Sequence, residues 1–252
     1  MQHFLFLVTV ACVFTHTTGR TLLNDKIVGG NVASVGQFPY QISLRQNKIH
    51  FCGGSIIDKN TLLTAAHCLE VFWTTDVTVI AGTNKLSEAG TQYSVSRHIL
   101  HENWNPGNTT NDIAVIKVTS SIEFTTFVQA IVIDDSFIAA GTECVFSGWG
   151  YTSNPGLYSN DLLYYNASVV ELNVCKEVFA QETYPVVDSN ICAVATYGVG
   201  GCFGDGGDAL VSNNKQIGIS SWINPCGLGD PDVFTRVSYY SEWIQTQQAL
   251  TN

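Results

Sequence analysis

Charged residues are scarce in this chain. Asp, Glu, Lys and Arg together make 13% of 252 residues, and 21 acidic side chains outnumber 11 basic ones. A formal net charge of -10 argues against nucleic acid or an anionic membrane surface as partner, because both are gripped by basic patches. Methionine occurs once and proline six times, and no repeat, low-complexity tract or proline-rich linker interrupts the chain. No apolar run reaches the ~20 residues that a bilayer span requires. The nearest approach, Phe4 to Phe14, is a short apolar core followed by small and polar residues. It reads as a secretory signal over residues 1–19, although its amino end lacks the usual Lys or Arg. The protein is therefore expected to be exported.

The abundant residues are hydrophobic ones, at 45%, and glycine, with 22 copies. Low charge with many glycines favours a compact all-β protein over a helical one. Short runs of period-two or β-branched character support this, including Gln41–Arg45, Thr78–Ile80, Ile113–Val118, Cys144–Ser147 and Gln216–Ser220. Turn residues such as Asn105-Pro106-Gly107 and Asn154-Pro155-Gly156 separate them. Many short strands so punctuated indicate barrels or a sandwich. Only the end differs, where Val237, Tyr240 and Ile244 share one face of a helix expected over 237–247. Of eight cysteines, Cys12 leaves with the signal. The odd number left makes at least one thiol unpaired or intermolecular.

Four stretches carry chemistry. Ile27-Val28-Gly29-Gly30 follows a short leader, residues 20–26, that ends in Lys26. Thr64-Ala65-Ala66-His67-Cys68 follows Cys52-Gly53-Gly54-Ser55. Asn111-Asp112-Ile113-Ala114 comes next, and Cys202-Phe203-Gly204-Asp205-Gly206-Gly207-Asp208-Ala209-Leu210 last. Together they resemble the trypsin-like serine proteases from Ile27 to Ile244. The resemblance implies two six-stranded antiparallel barrels, residues 27–125 and 126–236, with a cleft between them and the C-terminal helix after. It also implies cleavage at Lys26–Ile27, with the new amine turning inward to pair with Asp205. His67 would be the general base and Asp112 the residue that fixes its tautomer. Gly204 would offer an oxyanion N–H, and Ser221-Trp222 would lie beside Asp112. The implied disulfides are Cys52–Cys68, Cys175–Cys192 and Cys202–Cys226, which leaves Cys144 as a buried, inert thiol.

The pattern is broken where it matters most. Gly206 stands at the nucleophile position and has no side-chain oxygen, while Asp208 and Ala209 replace the usual glycine and proline. No serine, threonine or cysteine lies between Cys202 and Leu210 to substitute. At the specificity pocket Gly200 takes the place of a trypsin's aspartate. Ile223 should narrow the groove, and Asp232 should place an unpaired carboxylate near the pocket. Asn108-Thr109-Thr110 and Asn166-Ala167-Ser168 are glycosylation sequons. His98 and His101 do not form a metal motif, because positions three apart on a strand face opposite sides.

The reading is an exported, monomeric serine protease homologue that is not an enzyme, needs no cofactor or metal, and acts by binding protein. The resemblance extends to arthropod digestive proteases, to mite group-3 allergens and to inactivated paralogues of the scabies mite. It implies secretion into the gut and interference with host defence proteins such as complement. The alternative is an active serine-type endopeptidase with a non-standard site.

Overall fold

The computed structural model describes residues 28–223 and 226–250. The expected signal and leader, with Lys26 and Ile27, lie outside them. Strand β1 (Asn31–Val32) is followed by six strands that close on themselves: β2 (Gln41–Gln46), β3 (Ile49–Ile56), β4 (Thr61–Thr64), β5 (Thr78–Ala81), β6 (Thr91–Leu100) and β7 (Ala114–Val118). Their order around the first barrel is β2-β3-β4-β7-β6-β5. A short β8 (Val132–Ile133) leads to β9 (Glu143–Gly148), β10 (Leu163–Val170), β11 (Asn190–Val194), β12 (Ala209–Ser212), β13 (Lys215–Trp222) and β14 (Asp232–Arg236). These last six close in the order β9-β10-β11-β14-β13-β12, because β9 pairs with both β10 and β12.

Alternation explains the second barrel. Along β10, Leu163, Tyr165, Ala167 and Val169 are buried, while the residues between them are half-buried or exposed. This is the two-residue period of a strand with one face on a core. Strand β2 differs, since both of its faces are covered. Ile42 and Leu44 fill the first barrel, whereas Gln41 and Ser43 are buried on its outer side. Fully burying an Ile or Leu contributes about 1.5–3 kcal/mol, and Ile42, Leu44, Ile56, Leu62 and Leu63 are all fully buried. The two-residue hairpin turn between β2 and β3 uses Asn47 (φ 50°) and Lys48 (φ 69°). That left-handed pair matches the twist of the flanking strands.

The barrels meet through polar groups as well as apolar ones. Ser55 Oγ donates to Gln216 Oε1 at 2.6 Å, and Ser147 Oγ donates to Gln41 Oε1 at 2.8 Å. Two expectations shift. Residues 31–32 pair with β10, so the first strand after the leader belongs to the second barrel's sheet, not the first. The C-terminal segment is a 3-10 turn over Val237–Tyr240 followed by helix α2 (Ser241–Ala249). Val237, Tyr240 and Ile244 are all buried. A second helix, α1 (Leu172–Val178), is tied to β11 by the Cys175–Cys192 disulfide. No helix among the described residues is long and apolar enough to cross a membrane.

Candidate functional site

Strand pairing brings the base to its carboxylate. Thr64 of β4 lies opposite Ala114 of β7, so His67, just after β4, and Asp112, just before β7, emerge at the same end of the barrel. The His67 backbone N–H donates to Asp112 Oδ1 at 2.9 Å, and Nδ1 lies 2.8 Å from Oδ2. Ser221 Oγ donates to the same Oδ2 at 2.6 Å, and Thr235 Oγ1 donates to the Asp112 carbonyl at 2.7 Å. Asp112 is buried. The geometry puts the proton on Nδ1 and leaves Nε2 as the basic atom facing outward. Burial opposes the imidazolium, but the charge and hydrogen bond of Asp112 outweigh it and hold the His67 pKa above the ordinary value.

Gly206 is the residue that faces Nε2. A Cβ built on it would lie inside van der Waals contact of that nitrogen, 3.0 Å from Cε1 and 3.3 Å from Cys52 Sγ. The rest of the loop is pinned. The Gly206 carbonyl accepts from Gly53 N–H at 2.8 Å, and Gly207 N–H donates to the Ser220 carbonyl at 2.8 Å. Gly204 has φ 97°, and a side chain there would run into the Tyr158 ring. Its carbonyl is held by His50 Nε2 at 3.0 Å, while His50 Nδ1 meets Ser43 Oγ at 2.9 Å. Burial pushes the His50 pKa down to about 4. The ring is therefore neutral, donates from Nε2 to Gly204, and accepts from Ser43. Sequence reading missed His50, because nothing local connects it to a carbonyl far along the chain.

Three carboxylates lie buried behind this loop. Asp205 Oδ1 accepts from Gly150 N–H at 2.6 Å and Oδ2 from Cys202 N–H at 2.9 Å. Burial still raises its pKa to about 7. The Ile27 amine, which the resemblance pairs with it, is outside the described residues. Val28, the next residue, accepts from Gly200 N–H at 3.3 Å, so the chain beyond Ile27 runs along this segment. Asp208 points into the barrel junction, where the Gln41 amide donates to Oδ1 and Oδ2 has no partner. Burial first, and the charge of Asp205 second, push its pKa well up.

Asp232 departs from expectation. Its carboxylate is not unpaired: Oδ2 accepts from the Tyr165 hydroxyl at 2.7 Å and from Gly201 N–H at 3.0 Å. It lies beneath Gly200 and Gly201, whose built Cβ atoms would be 3.6 and 3.4 Å from Oδ2. Burial raises its pKa to about 6. A Cβ on Gly201 would also be 3.6 Å from Ile223 Cγ2, so the isoleucine leans over the same spot. Trp222 stands beside it against Phe179 and Tyr184.

The cysteines form the bridges Cys52–Cys68, Cys175–Cys192 and Cys202–Cys226. The first joins the only His/Cys/Asp/Glu group among the described residues close enough to hold a metal ion, Cys52, His67 and Cys68. Disulfide sulfurs are not thiolates, so that trio offers a cation one imidazole. Cys144 is a buried free thiol whose pKa burial pushes up to about 12. Asn108 lies in the loop before Asp112, and Asn166 lies exposed on β10.

A family model described as Trypsin matches residues 27–244. Chymotrypsin-2 of Vespa crabro is 42% identical over 88% of this chain and 100% of its own length. Trypsin gamma of Drosophila melanogaster is 34% identical over 97% of this chain and 98% of its own. Human heparin binding protein, a solved structure, superposes with TM-score 0.77 at 28% identity, over 88% of this chain and 97% of its own. These relatives overturn the expectation that the chain is not an enzyme. Proteins named chymotrypsin and trypsin are serine proteases, and the class they support here is serine endopeptidase. With the matched segment running from Ile27 to Ile244, this chain belongs to the trypsin family of serine proteases.

Proposed function

We propose that this chain is an exported member of the family that engages polypeptides in its cleft without passing through an acyl-enzyme. One observation carries the reading: the residue facing His67 Nε2 is Gly206, which has no atom to acylate. Covalent catalysis of this kind begins when a base takes a proton from a side-chain nucleophile. Ile223, leaning over Gly201, supports a narrowed pocket. Asp232 below it supports a preference for a basic side chain, moderated by its bonds to Tyr165 and Gly201.

A second reading keeps hydrolysis open. His67, Asp112 and Ser221 form an intact base with its orienting groups, which supports slow attack by a His67-activated water. A triad that has lost a member retains about 10³–10⁴ over the uncatalysed reaction through its oxyanion hole and substrate binding. For partners, host defence proteins such as complement are the class to test, following the likeness to mite paralogues. The name of the human heparin binding protein suggests a polyanion for that protein. With a net charge of -10, this chain favours a protein ligand instead.

Pre-steady-state kinetics with an activated p-nitrophenyl ester test the proposal on protein cleaved after Lys26. A linear trace without a burst is expected, together with saturable binding of purified complement proteins. A burst equal to the enzyme concentration would overturn the reading.

A further inference from the structure

The sequon at residues 108–110 sits in a turn whose bonds are all local. Asn105 N–H donates to the Thr110 carbonyl at 3.1 Å, and Gly107 N–H donates to Asn105 Oδ1 at 2.9 Å. Asn108 Oδ1 accepts twice from Thr110, from Oγ1 at 2.8 Å and from N–H at 3.3 Å. Thr109 takes the left-handed φ of 52° that closes the turn. Every partner lies within residues 105–110, so the conformation can form before the barrels close. The hydroxyl bond to Oδ1 draws electron density from the amide, which makes the Nδ2 protons easier to lose.

The second sequon is different. Asn166 lies in the middle of β10, opposite Val145, and its extended conformation depends on pairing with β9. Ser168 Oγ is committed to Glu143 Oε1 at 2.9 Å instead of to the asparagine. In a strand the hydroxyl two residues on does not reach back to the amide. Both sequons are open to solvent in part, but only one presents the amide activated by its own threonine.

We infer that Asn108 carries an N-linked glycan and that Asn166 does not. The co-reactant is a lipid-pyrophosphate-linked oligosaccharide. Asn108 Nδ2 forms a bond to the anomeric carbon of its first sugar, the carbon–oxygen bond to the pyrophosphate breaks, the lipid pyrophosphate leaves, and the amide proton passes to a base. The loop abuts the segment that follows His67, since Trp104 Nε1 donates to Glu70 Oε2 at 2.9 Å. The glycan therefore stands on the rim of the cleft, where it limits the size of what can approach.

This inference rests on the export half of the proposed function, and the experiment separates the two. The full chain is expressed in eukaryotic cells, and the secreted protein is weighed intact before and after N-glycosidase treatment. One glycan is expected, absent from Asn108→Gln and Thr110→Ala, and retained in Thr110→Ser and Asn166→Gln. Protein in the medium with no change in mass on treatment would overturn the inference while leaving export standing. Protein that never reaches the medium would overturn export. A glycan lost only in Asn166→Gln would reverse the assignment, and glycans at both sites would refute the discrimination between them.

Discussion

Restoring an oxygen at position 206 is the perturbation that the site geometry describes most fully. In Gly206→Ser the new Cβ would press on the His67 ring, already inside contact of Nε2 and 3.0 Å from Cε1. The backbone does not resist, since Gly206 is not among the glycines of positive φ. The ring must retreat, yet Nδ1 and the backbone N–H are both anchored on Asp112. A side chain forced about 30° off its rotamer costs about 0.5–1.5 kcal/mol. Against that stands the value of a nucleophile in a triad, about 10⁶ in rate, or about 8 kcal/mol. Even with ring displacement and a shifted loop together costing about 4 kcal/mol, roughly three decades of acyl transfer should return. The assay is hydrolysis of a small active ester by cleaved protein, compared with wild type and with Gly206→Ser/His67→Ala. A gain of about 10³ that vanishes without His67 is expected. A correctly folded Gly206→Ser no faster than wild type would refute the placement of this loop as the nucleophile loop.

Other consequences are simpler to measure. Asp232 has a folded pKa of about 6 against 3.8, so its contribution favours folding below pH 3.8 and is lost as pH rises through 6. Asp232→Asn should therefore raise stability at pH 8 by up to about 3 kcal/mol and have little effect at pH 3.5, read by denaturant melts at both pH values. Cys144 should resist a thiol reagent in the native cleaved protein and react with one equivalent in guanidinium; fast native labelling would contradict its burial. Ile223→Gly should tighten binding of a peptide with a basic side chain by about tenfold, and unchanged affinity would show that Ile223 does not narrow the pocket.

The fold was legible wherever residues near in sequence decide the structure. The runs Gln41–Arg45, Thr78–Ile80, Ile113–Val118, Cys144–Ser147 and Gln216–Ser220 can be read directly, and they fall on β2, β5, β7, β9 and β13. The His67 and Asp112 boxes are legible through the family resemblance, and the structure then places them beside the paired ends of β4 and β7. What escaped is what only the folded chain brings together. Asp232 was expected to be unpaired because Tyr165, its partner, is 67 residues away. His50 gave no sign of its hold on Gly204, 154 residues on. Gln41 likewise gave none of its bond to Asp208 across the barrel junction. Strand β1 crosses to the second barrel because β11 pairs with β10 only at Ser168–Val170 and leaves the edge at Leu163 and Tyr164 to it, which a two-residue strand cannot announce. The family's active relatives corrected the broadest inference from Gly206, that a chain without a serine at that position is no enzyme at all.

The central claim concerns one atom that position 206 does not supply. Intact mass spectrometry of the cleaved wild-type protein after exposure to a fluorophosphonate tests it most directly. An unchanged mass is the result expected, since no oxygen faces His67 Nε2 from that loop. A stoichiometric adduct that disappears in His67→Ala would contradict it and would place an active nucleophile elsewhere in the cleft.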